Sequence, residues 1–201
     1  MTEFFEETLG LIQGRIFLIS MLIFFLGYAL APTACYKKIN VLTVYPLWLA
    51  KKMEELSQKT WNPFVLFFFL LSMNSLSLFL SLLSGLVPVF PFLFAGLTGL
   101  NLGVVTYHTF KGQYYYAALL NPVAFFELPA AFLTFTLAIQ FNLMLLPQSV
   151  ITIPIHSFQT YFNIFLMVVI PLLLIAGILE TLLIIYAQKM ETDEDDEEDK
   201  G

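Results

Sequence analysis

"PVAFFELPAAF", residues 122–132, is the stretch on which the fold turns. Its one carboxylate, Glu127, sits in a run that is otherwise apolar. A charge in such surroundings is costly unless something pairs with it or neutralises it. Two questions follow: what medium surrounds this segment, and what stands opposite Glu127.

Composition identifies the medium. Of 201 residues, 59% are hydrophobic and 12% charged, where a soluble domain carries about 25% charged residues. The charges are also segregated, most of them near the two ends or between residues 37 and 59. The remainder forms apolar blocks of about 20 residues or more, each long enough to cross a ~30 Å hydrocarbon core. The chain therefore reads as one integral membrane domain. Its net charge of −6 comes mainly from the terminal "METDEDDEEDK" and says nothing about the core. A single cysteine, Cys35, excludes an intrachain disulfide.

Five spans are expected, at 16–36, 63–85, 87–110, 121–146 and 161–187. Lipid offers no partner to an exposed backbone group, so the spans are helices. The alternating pattern of a membrane β-barrel is absent. Pro88 and Pro91, Pro129 and Pro171 are expected to kink the last three spans. Gly85 followed closely by Pro88 and Pro91 predicts a tight hairpin between the second and third. Asn121 before Pro122 suits a helix start, with Asn as the cap and Pro in the first position.

The fold expected is all-α: a polytopic membrane bundle of about five transmembrane helices, with one or two interfacial amphipathic helices. The membrane domain occupies 16–187. Within it, residues 41–60 mix Leu47, Leu49, Met53 and Leu56 with Lys51, Lys52, Glu54, Glu55 and Lys59. That suits an amphipathic helix on the membrane surface, with Trp48 and Trp61 at headgroup level. The opening "MTEFFEETLG" is acidic where a secretory signal is basic, so the first apolar block is read as retained. Phe4, Phe5, Leu9 and Ile12 share a helical face, which suits an interfacial segment over 1–15; a frayed terminus is the alternative. The uncharged stretch "PQSVITIPIHSFQT" reads as a loop on the membrane face, with His156 a solvated or capping residue. Residues 188–201 read as a disordered, solubilising acidic tail.

Orientation follows from the basic residues. Lys37, Lys38, Lys51, Lys52, Lys59, Lys111, Lys189 and Lys200 fall on one side of the membrane, and Arg15 alone on the other. The positive-inside rule puts the N-terminus outside and the C-terminus in the cytoplasm, which implies the cytoplasmic (inner) membrane.

Helical rise then locates the polar residues. Glu127 lies ~9 Å inside the start of the fourth span and Glu180 ~10 Å inside the end of the fifth, on the same side. His108 and Lys111 cap the third span on that side, while Asn101 and Asn74 lie nearer the midplane. Carboxylates within spans normally face the bundle interior and find a partner, and no Lys or Arg lies inside these spans. Glu127 has the positive end of its own helix dipole, whereas Glu180 is near a helix C-terminus, where the dipole opposes a negative charge. Glu180 is therefore expected to be the one that keeps a proton, or to pair with His108 or Lys111. The cluster Glu127, Glu180, His108, Asn101 and Asn74 admits three uses: helix glue, a proton, cation or solute pathway, or docking of a partner helix.

Two small-residue stripes recur every four residues: Ser77, Ser81 and Gly85 in the second span, and Ala95, Gly99 and Gly103 in the third. Such stripes let backbones approach closely. They are expected to join the two hairpin helices, or else to bind another protomer. No HExxH, no cysteine pair, no Ser-His-Asp arrangement, no phosphate loop and no nucleic-acid patch appears. No catalytic residue, metal ligand or cofactor is assigned, and no nucleic-acid partner is expected. His108 reads as a capping side chain rather than a ligand.

With those residues in place, the chain resembles the stage II sporulation protein M family, small polytopic proteins of bacteria and archaea. The likeness runs from about Phe67 to Leu183 and rests on Asn74 ahead of Gly85, on "PFLFAGLTGLNLG", and most on "NPVAFFELPAAF" and "PLLLIAGILETLL". Pro122, Glu127, Leu128, Ala176, Gly177 and Glu180 match the family pattern, while Val123 and Ala124 stand where the family has His and Gly. That departure weakens any role the resemblance would give the His, such as metal or proton handling. The resemblance implies a membrane scaffold that recruits partner proteins, as the spore-former member does with cell-wall hydrolases. The function expected is assembly: contact with membrane lipids and partner membrane proteins or a homo-oligomer, and no covalent chemistry. A carrier or channel using Glu127 and Glu180 is the alternative.

Overall fold

The computed structural model describes residues 10–57, 61–145 and 157–198. Over these residues the chain is all-α, with seven helices: α1 (Gly14–Tyr36), α2 (Asn40–Ser57), α3 (Pro63–Leu83), α4 (Phe90–Thr109), α5 (Ala124–Leu145), α6 (Phe158–Ile164) and α7 (Ile170–Glu198). Five stretches are long and apolar enough to cross a bilayer: Gly14–Tyr36, Pro63–Leu86, Phe90–Thr109, Ala124–Leu145 and Phe158–Lys189. The protein is a multi-pass membrane protein. The expected interfacial helix over 1–15 rests largely on Phe4, Phe5 and Leu9, outside the described residues, as are Lys59, Lys200 and the loop carrying His156.

Local chemistry sets the helix ends. Asn62 opens α3, accepting a bond from the Phe64 N–H at 3.0 Å with Pro63 in the first turn. Asn121 does the same ahead of α5, accepting from the Val123 N–H at 3.0 Å. Pro171 lacks the N–H that would close the preceding turn, and the chain adjusts with a π-helical turn, Phe165–Val169, rather than a break. Beyond Gly177 neither glycine nor proline occurs before Gly201. The α7 helix continues to Glu198.

The centre of the bundle is α5. Nearly every residue from Ala130 to Asn142 is buried, and α5 touches α1, α3, α4 and α7. Its companions keep an open apolar side. On α1, Leu18, Leu22, Leu26 and Leu30 are 56–66% exposed and recur every four residues, which marks the face given to lipid.

The most extensive helix pair is α1 with α4. Gly99 lies directly on the Phe24 carbonyl and Gly27 on the Gly96 carbonyl, with no room for a Cβ at either. A Cβ on Gly103 would stand 2.7 Å from the Ala31 Cβ. The Ala95–Gly99–Gly103 stripe therefore meets the first span, which corrects the expectation that it joins the hairpin partner. The chain does turn sharply at Ser84–Val89, but α3 is drawn to α5 and α7 while α4 is drawn to α1, so the hairpin helices splay. The other stripe divides: Ser77 is exposed, Ser81 is buried and bonds back to the Ser77 carbonyl at 3.0 Å, and Gly85 packs on the Ala138 backbone of α5.

Candidate functional site

The site forms where α3, α5 and α7 meet. The Asn121 cap fixes the start of α5 and places Glu127 in its first turn. From α3, the Asn74 side-chain amide donates to Glu127 Oε1 at 2.6 Å. From α7, Glu180 comes within electrostatic reach of Glu127. The approach of α7 depends on small residues: Ala176 is fully buried, and a Cβ on Gly177 would already meet the Phe67 ring of α3 at 3.4 Å. The Thr181 hydroxyl bonds back to the Gly177 carbonyl at 2.7 Å, so it offers no proton to Glu180.

Glu180 Oε2 is buried and has no hydrogen-bond partner among the described residues. This corrects the expected pairing of Glu180 with His108 or Lys111. The reason is the order of packing: α4 lies against α1, while α7 lies against α3 and α5, so α5 stands between His108 and Glu180. His108 is exposed at the end of α4, beside Lys38 and Tyr107. Asn101 is part-buried on α4 and bonds to neither carboxylate. Of the five polar residues singled out by depth, the structure brings together Asn74, Glu127 and Glu180. Chemically this is a two-carboxylate joint with one amide donor and one unpartnered oxygen. Among the described residues no three His, Cys, Asp or Glu side chains gather as a metal ion requires.

A second polar set, without charge to mark it in the sequence, lies on α5. Thr134, Thr136, Gln140 and Asn142 of α5 are all at most 1% exposed. Thr136 meets Ser20 of α1 at 3.2 Å, and Ser20 reaches the Phe132 carbonyl at 3.3 Å. Gln140 donates to the Leu11 carbonyl at 2.9 Å. Asn142 donates to the carbonyls of Gly85 and Val87 at 3.1 and 2.9 Å, tying the α3–α4 turn to the far end of α5. The signal was present: polar residues all round one span mark a helix with no lipid face. At the other end, the Tyr28 hydroxyl bonds the Tyr115 carbonyl at 2.8 Å and Thr106 at 3.1 Å, joining α1, α4 and the loop that leads to α5.

No curated protein and no solved structure matches this chain. A family model described as "Stage II sporulation protein M" matches residues 15–183, a stretch that includes Asn74, Glu127 and Glu180. The chain belongs to the Stage II sporulation protein M family.

Proposed function

We propose that this protein is a membrane scaffold, organising partner proteins in the cytoplasmic membrane by assembly and without covalent chemistry. The observation that carries the reading is the enclosure of α5. Its middle is buried on every side, and its polar groups bond to neighbouring helices and turns at both ends. Such a helix suits a rigid centre around which α1, α3 and α7 present apolar faces to lipid or to other membrane helices. In this reading Asn74, Glu127 and Glu180 hold three helices in register.

A second reading has its own observation. The unpartnered Glu180 Oε2 beside Glu127 suits a proton or cation relay. Extraction in a gentle detergent, followed by quantitative identification of co-purifying membrane proteins, separates the two. The scaffold reading expects stoichiometric partners or a homo-oligomer. A lone monomer that passes protons in proteoliposomes would replace it with the carrier.

The proposed orientation has the N-terminus outside and α2 in the cytoplasm, from the lysine asymmetry. In a Cys35→Ser, Ser57→Cys variant, residue 57 should resist an impermeant thiol reagent applied to intact cells. Labelling from outside would invert the topology.

A further inference from the structure

One amide in the middle of the membrane stands outside the hydrogen bonds of the bundle. Asn101 lies within Phe90–Thr109, about 2 Å from the middle of that span. Asn74, Gln140 and Asn142 each donate to another part of the chain, at 2.6, 2.9 and 3.1 Å. The Asn101 side chain is part-buried and makes no hydrogen bond among the described residues.

Its direction explains the difference. Asn101 follows Gly99 by two residues, so it points about 200° round the helix from the seam with α1. Phe90, Leu93 and Leu97 share that side and are 46, 52 and 47% exposed. The stripe runs along a side of α4 that the neighbouring helices leave open. It differs from the lipid face of α1, where Leu18, Leu22, Leu26 and Leu30 offer nothing polar. Acyl chains hold neither donor nor acceptor, so a lone carboxamide at this depth bears its desolvation cost unrelieved. The side chain is too short to reach the interface, about 15 Å away. Relief has to come from another membrane helix.

The chemistry of the amide selects which helix. A carboxamide has a donor end and an acceptor end, so two of them related by a two-fold axis form two reciprocal bonds. Copies of one protein enter the membrane in the same orientation, and a two-fold axis along the membrane normal keeps like residues at one height. Asn101 then meets Asn101, with Leu93 and Leu97 packed beside the pair. A single Asn in an apolar helix face also fixes the register of such a pairing. We propose that the open face of α4 pairs with the same face of a second copy, through Asn101, to form a dimer. This deepens the scaffold reading, on which it rests for the use of the dimer, by naming one partner.

The test uses the full chain reconstituted in liposomes at falling protein-to-lipid ratios. Donor and acceptor dyes are placed on separate pools of the Cys35→Ser, Ser57→Cys variant. Energy transfer between the mixed pools should report a dimer. Adding Asn101→Leu should weaken dimerisation about tenfold, the scale of two average hydrogen bonds between membrane helices. Asn101→Gln keeps the amide and should retain most of the dimer. Asn101 bonds to nothing within the chain, so Asn101→Leu should not lower the unfolding temperature in dilute detergent. Oxidation should trap a disulfide-linked dimer of a Cys35→Ser, Leu97→Cys chain, and not of a Cys35→Ser, Leu22→Cys chain. Transfer no greater than random proximity gives, undiminished dimerisation by Asn101→Leu, or equal trapping through Leu22→Cys would overturn the proposal. So would a lower unfolding temperature for Asn101→Leu, which would give the amide a partner inside the chain. A monomer that still co-purifies with another membrane protein in stoichiometric amount would overturn the dimer and leave the scaffold reading standing.

Discussion

Two seams of this bundle achieve close helix packing by opposite means. Between α1 and α4 the seam is bare: Gly27, Gly96, Gly99 and Gly103 bring backbone onto backbone. Around α5 the seams are polar: Asn74 to Glu127 at one end, and Asn142 to the α3–α4 turn at the other. Lipid tails are as apolar as leucine, so burial of apolar side chains does not drive helices together as it does in water. The first seam gains dispersion contacts from nearness, and the second gains hydrogen bonds that have no water to compete with them. A bare seam should reject volume. A polar seam should reject deletion and tolerate an isosteric exchange.

The largest effect is expected in the bare seam. Gly99→Leu must push α1 away from α4 and should cost about 3 kcal/mol or more, read as thermal unfolding in detergent. Unchanged stability would show that α4 faces lipid there. Asn142→Ala comes next, with both bonds to the turn removed and two carbonyls left without them, for a loss of about 2 kcal/mol. Asn74→Ala should cost about 1–2 kcal/mol, the upper range for a bond between membrane helices, because it leaves Glu127 without its donor. The smallest effect has the opposite sign. A Cβ on Gly96 would meet the Ile23 side chain at 3.6 Å and the Ile23 carbonyl at 4.0 Å, both ordinary contacts. Gly96→Ala should therefore be neutral or gain up to about 1 kcal/mol in helix propensity, one turn from a site where volume is fatal. A loss as large as that at Gly99 would mean that the seam is closed to volume along its whole length.

The spans were legible because a hydrocarbon core of fixed thickness demands a fixed run of apolar residues. Helical rise converts position in the chain into height, which sets Glu127 and Glu180 at similar levels on neighbouring spans, and the structure has the two within electrostatic reach. What height cannot supply is azimuth. His108 lies on the same side of the membrane as Glu180, yet α5 stands between them, and nothing in the spacing of either residue encodes that order. The Gly99 stripe shows the same limit. Its small residues announce a close neighbour without naming it, and adjacency in the chain pointed to α3. Gly27, Ala31 and Ala34 carry the matching small face on α1 and are buried; pairing stripe with stripe, rather than span with next span, would have found the partner. In α5 Gln140 and Asn142 are more deeply buried than Glu127, but a neutral amide carries no charge to mark it in the sequence.

Whether the carboxylates hold the bundle or serve a path is decided by one variant. Glu127→Gln with Glu180→Gln keeps size and hydrogen-bonding capacity at both sites and removes the exchangeable carboxyl protons. Its thermal unfolding and its recovery of co-purifying partners, measured together in gentle detergent, are the most direct test. A structural joint predicts an unfolding temperature within a few degrees of wild type, less than about 1 kcal/mol of change, and the same partners. A variant that folds as wild type does, but abolishes a proton or cation flux measured in wild-type proteoliposomes, would contradict the joint and make the pair a pathway.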